Sequence, residues 1–248
     1  MYSGKIVKYY DDIYNKKDYV TESEFIETKS NINKLLDVGC GTGTHLESLY
    51  KSGRIFYGID LSEEMIELAN DKFKDNDDVS CIHSDIVNFK EDNDFDTIIS
   101  MFNVVNHILD LEELDKYFKF ISKLLLDGGT FIFDCFNGAS VFKDNPKDFS
   151  KGITSRLPGG EYIMSCTSEF DPMISYLKIN NNIKVYHLKD LVDEFDYTID
   201  VTVWTPKLLR DLIEKYNMKV SKIVSNFDYH KDADLEDYKI TFVCCKDV

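Results

Sequence analysis

The run Leu35-Leu36-Asp37-Val38-Gly39-Cys40-Gly41-Thr42-Gly43, followed by Gly58-Ile59-Asp60-Leu61, constrains this chain more than any other stretch. It reads as a buried strand ending in a carboxylate and a glycine-rich turn, then a helix and a second strand that also ends in a carboxylate. Glycine lacks a Cβ and tolerates positive φ, so such a turn lets main chain approach a ligand closely. An acid after the second strand lies where a ribose diol would sit. Together these features predict a site for a nucleoside-bearing cofactor.

Spacing narrows the choice of cofactor. The dinucleotide fingerprint needs a third glycine where this chain has Thr44, counting from Gly39, or Leu46, counting from Gly41. A phosphate-binding P-loop needs Gly-Lys-Ser/Thr where the chain reads Gly43-Thr44-His45. A pyrophosphate is therefore not the expected guest. The glycine turn, leading into a helix, is expected to offer free N–H groups to an anion.

Strand-like runs at Lys34–Val38, Ile55–Ile59, Val79–His83, Phe95–Met101 and Thr130–Phe136 alternate with helical stretches at Thr44–Lys51, Glu63–Lys74 and Leu111–Leu125. Ser62 is a candidate N-cap with Glu63 and Glu64 behind it, and Gly128-Gly129 is expected to close the long helix. This alternation predicts an α/β chain with a parallel sheet covered on both faces. Residues 1–33 read as helical. Residues 150–203 read as inserted antiparallel strands, with turns at Pro158-Gly159-Gly160, Asp171-Pro172-Met173 and Asn180-Asn181-Asn182. Thr205-Pro206 opens a further helix, and Lys219–Ser225 and Lys239–Lys246 complete the sheet as sixth and seventh strands. The expected architecture is a Rossmann-like, seven-stranded doubly wound sheet in one domain over residues 1–248.

The pattern Asp37-x-Gly39-x-Gly41-x-Gly43 resembles the first motif of the class I S-adenosylmethionine-dependent methyltransferases. His83-Ser84-Asp85-Ile86, Phe95-Asp96-Thr97-Ile98-Ile99-Ser100-Met101 and Gly128-Gly129-Thr130-Phe131-Ile132-Phe133 resemble that family's later landmarks, in order. The resemblance implies S-adenosyl-L-methionine as cofactor. Asp37, Gly39, Cys40, Gly41, Gly43 and Tyr14 would bind it, the glycine turn receiving the carboxylate of its methionine end, and Asp60 would hold both ribose hydroxyls. Asp85, with Ile86, would meet the adenine, Leu61 and Met65 would form an apolar clamp, and Met101 would close the fourth-strand edge.

The acceptor side is sought in the loop after the fourth strand, where His107 is placed to face the methyl and accept a proton. Tyr14 can donate its phenol to the cofactor while its ring excludes water. Both are candidate catalytic residues. His45 and His83 read as structural, and His187, His230, Arg156 and Arg210 are further candidates for the acceptor pocket. Tyr10 and Tyr14 early in the chain, and Met101-Phe102-Asn103-Val104-Val105-Asn106-His107, resemble the methyltransferases that act on amino groups of nucleotide-linked sugars. This narrower resemblance implies a small polar acceptor. Residues 1–33 would cover the cofactor and residues 150–203 would shape the acceptor pocket. The alternatives are O-methylation of a sugar, phosphoramidate or carboxylic acid, and a cofactor-binding module without turnover.

The formal charge of −16 argues against a nucleic-acid partner, since phosphate binding needs clustered Lys and Arg. The six cysteines stand without metal-ligand spacing, so buried thiols and no structural metal are expected. There is no signal-peptide pattern and no run approaching the ~20 apolar residues of a membrane span, which predicts a cytoplasmic protein without membrane contact. A homodimer is compatible with these features.

Overall fold

The computed structural model describes residues 2–90, 95–155 and 158–247. Its main sheet is built on β1 (Lys34–Val38), β2 (Ile55–Asp60), β3 (Val79–His83), β4 (Phe95–Ser100) and β5 (Leu125–Phe136). These pair in parallel in the order β5-β4-β1-β2-β3. Antiparallel strands β12 (Lys239–Lys246), β10 (Met218–Ser225) and β11 (Asp228–Asp232) extend the sheet beyond β5. The chain winds outward in both directions from the β1/β4 boundary, and the crevice for a ligand lies there, beyond the carboxyl ends of the strands.

Successive strand residues feed opposite layers. Ile98, Phe131 and Phe133 pack with α5 (Leu111–Leu124) and α7 (Pro206–Glu214). Ile99 and Ile132 pack with α2 (Tyr19–Lys29), α3 (Thr44–Leu49) and α4 (Glu63–Phe73). Capping is local and legible. Ser62 accepts from the Met65 N–H at 3.3 Å, Asp110 caps α5, and Thr205 caps α7 ahead of Pro206.

A second, antiparallel sheet of β6 (Phe149–Thr154), β7 (Gly160–Asp171), β8 (Tyr176–His187) and β9 (Asp190–Thr202) carries the inserted segment. Helix α1 (Lys5–Ile13) lies between this sheet and the main body. Its Ile6, Val7, Tyr10 and Ile13 share one apolar cluster with Met65 of α4 and with Ile153, Tyr162, Met164, Ile183 and Val185. A short α6 (Gly138–Lys143) follows β5.

Three expectations are corrected. The main sheet has eight strands, because the segment after β10 folds back as the edge strand β11. Gly128 and Gly129 do not close α5, which ends at Leu124; they lie within β5, where pairing with β4 jumps from Phe95–Leu125 to Thr97–Thr130. Asn180-Asn181-Asn182 is not a turn but the middle of β8. Cross-strand partners make this possible: Asn180 donates to Glu169 at 3.0 Å and Asn182 to Asp196 at 2.9 Å. The β8–β9 turn falls instead at Leu188-Lys189, both at positive φ.

Candidate active site

The glycine turn leaves β1 at the head of the crevice. Gly39 adopts φ +80°, and a Cβ there would meet the Val104 side chain at 2.5 Å. Gly41, at φ +54°, has nothing within 4 Å of the position a Cβ would take, so the turn faces open space there. The N–H groups of Gly39 and Cys40 donate to Ile59 O at 2.7 and 3.0 Å, that of Gly43 to Cys40 O at 2.9 Å, and that of Gly41 to Asp60 at 2.9 Å. These four main-chain donors are spent holding the loop, so, against expectation, they are not available to an anion.

Two carboxylates flank the turn in different states. Asp60, at the end of β2, accepts from Gly41 N–H with one oxygen and from Ser62 N–H at 2.8 Å with the other, tying the two ligand-facing turns together. Burial raises its carboxyl above the ordinary value against those donors. Asp37 is 1% exposed, and neither of its oxygens has a partner. Burial, with the Asp60 charge adding to it, pushes its carboxyl up to about 8.

The loop after β4 is held in an uncommon shape. Phe102 and Asn103 both have positive φ, 72° and 62°, which costs energy for non-glycine residues and persists only where surroundings enforce it. Buried Asp134 supplies that enforcement, accepting from Phe102 N–H at 2.5 Å and Asn103 N–H at 3.1 Å. Asn106 then ties the loop down, donating to Thr202 O at 2.8 Å and accepting from Phe136 N–H at 2.9 Å. His107 ends the loop. Burial lowers its imidazole to about 4, so it is neutral at physiological pH.

An aromatic enclosure joins this loop to α1 and β9. The Tyr2 ring lies 6.1 Å from His107, 5.2 Å from Tyr10 and 6.2 Å from Tyr197, centre to centre. Tyr14 packs on Tyr10 at 4.8 Å and on Phe102 at 4.9 Å, and its hydroxyl is 3.3 Å from that of Tyr197. Helix α1 is strapped over the crevice. Gly4 N–H donates to Glu64, Ser62 donates to Tyr2 O, and Thr42 of the glycine turn donates to Asp11 at 2.5 Å. Tyr2 and Tyr197 carry no sequence signal that singles them out; Tyr197 differs from other strand tyrosines only in where β9 delivers it.

Beneath the turn lies a buried polar group formed by Lys17, Glu22 and His45. Lys17 pairs with Glu22, and His45 Nε2 is 2.7 Å from the same Glu22 oxygen. The Lys17 ammonium stands 4.4 Å from the Tyr19 ring centre and 5.2 Å from that of Phe102. His45 is thus structural, as its position after the turn implies.

The other expected residues are dispersed around this centre. Leu61 is half exposed at the mouth, and His83 binds its carbonyl at 3.0 Å. Met65 is buried under α1, while Cys40, Ile86 and Met101 lie in the cores. Asp85 follows β3 and accepts from both the main-chain and side-chain N–H groups of Asn88. His187 and His230 are exposed on β8 and β11, away from the enclosure, and Arg210 pairs with Glu214 on α7. Arg156 lies outside the described residues. Among those residues no cluster of three metal-ligating side chains occurs, and no helix is long and apolar enough to cross a membrane.

The donor set fits S-adenosylmethionine. An orphaned buried carboxylate calls for an ammonium, the open face at Gly41 admits a ligand against main chain, and Asp60 keeps acceptor capacity for a diol. Residues 35–129 match the methyltransferase domain family. The chain is 32% identical over 135 residues to a dTDP-3-amino-3,6-dideoxy-alpha-D-glucopyranose N,N-dimethyltransferase of Streptomyces fradiae, covering 51% of this chain and 52% of that one. It is 30% identical over 152 residues to a dTDP-3-amino-3,4,6-trideoxy-alpha-D-glucopyranose N,N-dimethyltransferase of Streptomyces venezuelae, covering 58% and 62%. The chain thus spans half to less than two thirds of the length of these curated relatives. A crystal structure of an S-adenosylmethionine-dependent methyltransferase from Clostridium acetobutylicum superposes with a TM-score of 0.80 at 23% identity, over 97% of each chain. Residues 35–129 carry the match to the methyltransferase domain family, and the chain shares the fold of an S-adenosylmethionine-dependent methyltransferase of solved structure.

Proposed function

We propose that this protein methylates an amino group of a small polar acceptor, with a nucleotide-linked amino sugar as the substrate class. The observation that carries the reading is the neutral, half-buried His107 beside Tyr2 of the Tyr2–Tyr14–Tyr197 enclosure, at the end of the loop that follows β4. S-adenosylmethionine, when bound, supplies an electrophilic methyl on a sulfonium, open to in-line displacement. The chain's part is to hold the acceptor nitrogen in line with that methyl and keep water out, for which positioning alone is worth on the order of 7–11 kcal/mol.

The value at His107 favours nitrogen over oxygen as the acceptor atom. A hydroxyl holds its proton far more tightly than an ammonium does, and an imidazole titrating near 4 is too weak a base to remove it. A neutral amine already carries the lone pair that attacks. His107 accepts a hydrogen bond from its N–H and aims the lone pair, and the proton of the methylated ammonium is lost to solvent. The two Streptomyces relatives, both N,N-dimethyltransferases of dTDP-linked amino sugars by name, support the same substrate class.

The test is incubation with labelled methyl donor and a panel of dTDP-linked sugars carrying either an amine or only hydroxyls, with mass analysis of products. Label on nitrogen of the amino sugars is the expected result. Label on oxygen, or no transfer to any member while an unrelated extract component is labelled, overturns the assignment.

A further inference from the structure

We propose that Lys17 receives the carboxylate at the amino-acid end of the methyl donor while Asp37 receives its ammonium, so that two buried opposite charges clamp that end. This rests on the cofactor reading above. Its first support is the inward consumption of the glycine turn's N–H groups by Ile59, Asp60 and Cys40, which leaves the anion without those main-chain donors. A side-chain cation can make up for them, and Lys17 is placed to do so. Its side chain is 11% exposed, and from the α1–α2 connection it brings its ammonium within 5.2 Å of the ring centre of Phe102, in the loop after β4.

The hydrogen-bond arithmetic leaves Lys17 with donors to spare. Ionised Glu22 can only accept, so the 2.7 Å contact from His45 Nε2 must be a donation from the imidazole. The same nitrogen, 3.3 Å from the Lys17 ammonium, then cannot accept from it. One of the three ammonium N–H groups goes to Glu22, and the other two find no acceptor among the described residues. They face an environment of ring surfaces, Tyr19 and Phe102.

Register places the two charges at the same crevice. Asp37 pairs with Ile99 across the β1/β4 boundary, and Phe102, which Lys17 overlies, is three residues further along β4's exit. The Lys17 charge is near enough to favour ionised Asp37. Burial holds the Lys17 ammonium below the ordinary lysine value, Glu22 and then Asp134 favour its charge, and Lys239 opposes it. Lys17 with Glu22 is neutral, and so is protonated Asp37. A zwitterionic end entering between them gives the spare Lys17 donors a carboxylate and lets Asp37 lose its proton to solvent against the ammonium; the one negative charge this leaves suits the positive sulfonium of the methyl donor.

The experiment is calorimetric titration of the full chain with three ligands: S-adenosylhomocysteine, its decarboxylated analogue, and 5′-methylthioadenosine, which lacks the amino-acid end. In the wild type, removing the carboxylate is expected to weaken binding by about 10- to 100-fold, as for a charge-assisted pair. In Lys17→Met the same removal costs less than about threefold, and 5′-methylthioadenosine binds both proteins alike. Lys17→Arg keeps most of the wild-type preference. Equal loss on decarboxylation in wild type and Lys17→Met overturns the proposal, as does equal weakening of all three ligands by the substitution, which would mark Lys17 as structural. Should Lys17→Met not fold, the wild-type comparison decides alone: no preference for the carboxylate overturns it. A wild type that binds none of the three refutes the cofactor reading itself.

Discussion

Asp37→Asn separates the electrostatics of the site from its shape. The Asp37 carboxyl titrates at about 8 in the fold against an ordinary 3.8, burial being the main cause. The folded state therefore holds a proton that the unfolded chain has released, and stability from this group is full below pH 4 and is lost as pH rises toward 8. The slope is about 1.4 kcal/mol per pH unit, or on the order of 5 kcal/mol over the window. Asn does not titrate, so urea unfolding of the ligand-free variant between pH 5 and 8 should fall less steeply than wild type by about that slope. Ligand binding gives an independent reading. At pH 6.5 the free carboxyl is almost wholly protonated, whereas an α-amino group, titrating at about 7.7–8.0, is still an ammonium. Binding S-adenosylhomocysteine at that pH should expel about one proton from the wild type and none from Asp37→Asn. Titration calorimetry in buffers of differing ionisation enthalpy measures this directly. Parallel stability profiles, or equal proton release by the two proteins, would refute the reasoning.

Three further outcomes follow from the geometry. Asp60→Ala removes the acceptor for Gly41 and Ser62 N–H groups, and should cost about 1–3 kcal/mol of stability together with at least tenfold weaker binding of 5′-methylthioadenosine by calorimetry. His107→Phe should lower the rate with an amine acceptor by about 10²-fold or more while leaving S-adenosylhomocysteine affinity within a few-fold. Because His107 is already neutral, the wild-type rate should show no limb from its titration between pH 6 and 8. Asn106→Leu strands the Phe136 N–H and Thr202 O inside the protein and should destabilise it by about 2–4 kcal/mol in chemical denaturation.

The parallel core and the glycine turn were legible because their signals are local. Strand length, the Asp37-x-Gly39-x-Gly41-x-Gly43 spacing and the caps at Ser62 and Thr205 are each contained within a dozen residues and act through backbone geometry that neighbours alone impose. The inserted strands were legible in kind but not in length. Asn180-Asn181-Asn182 carries turn chemistry by itself and becomes strand only because Glu169 and Asp196, on flanking strands, satisfy its amides. The same dependence on distant partners hid half of the site. Lys17 and His45 are 28 residues apart, yet they share the Glu22 carboxylate. Tyr14 and Tyr197, 183 residues apart, bring their hydroxyls together only when α1 is pressed between the two sheets. What the sequence by itself determined is the frame and the cofactor-facing edge, since hydrophobic period and glycine spacing act at short range. Which buried charges and aromatic rings close that edge was decided by the tertiary structure, because desolvation and side-chain pairing exist only once the elements have packed.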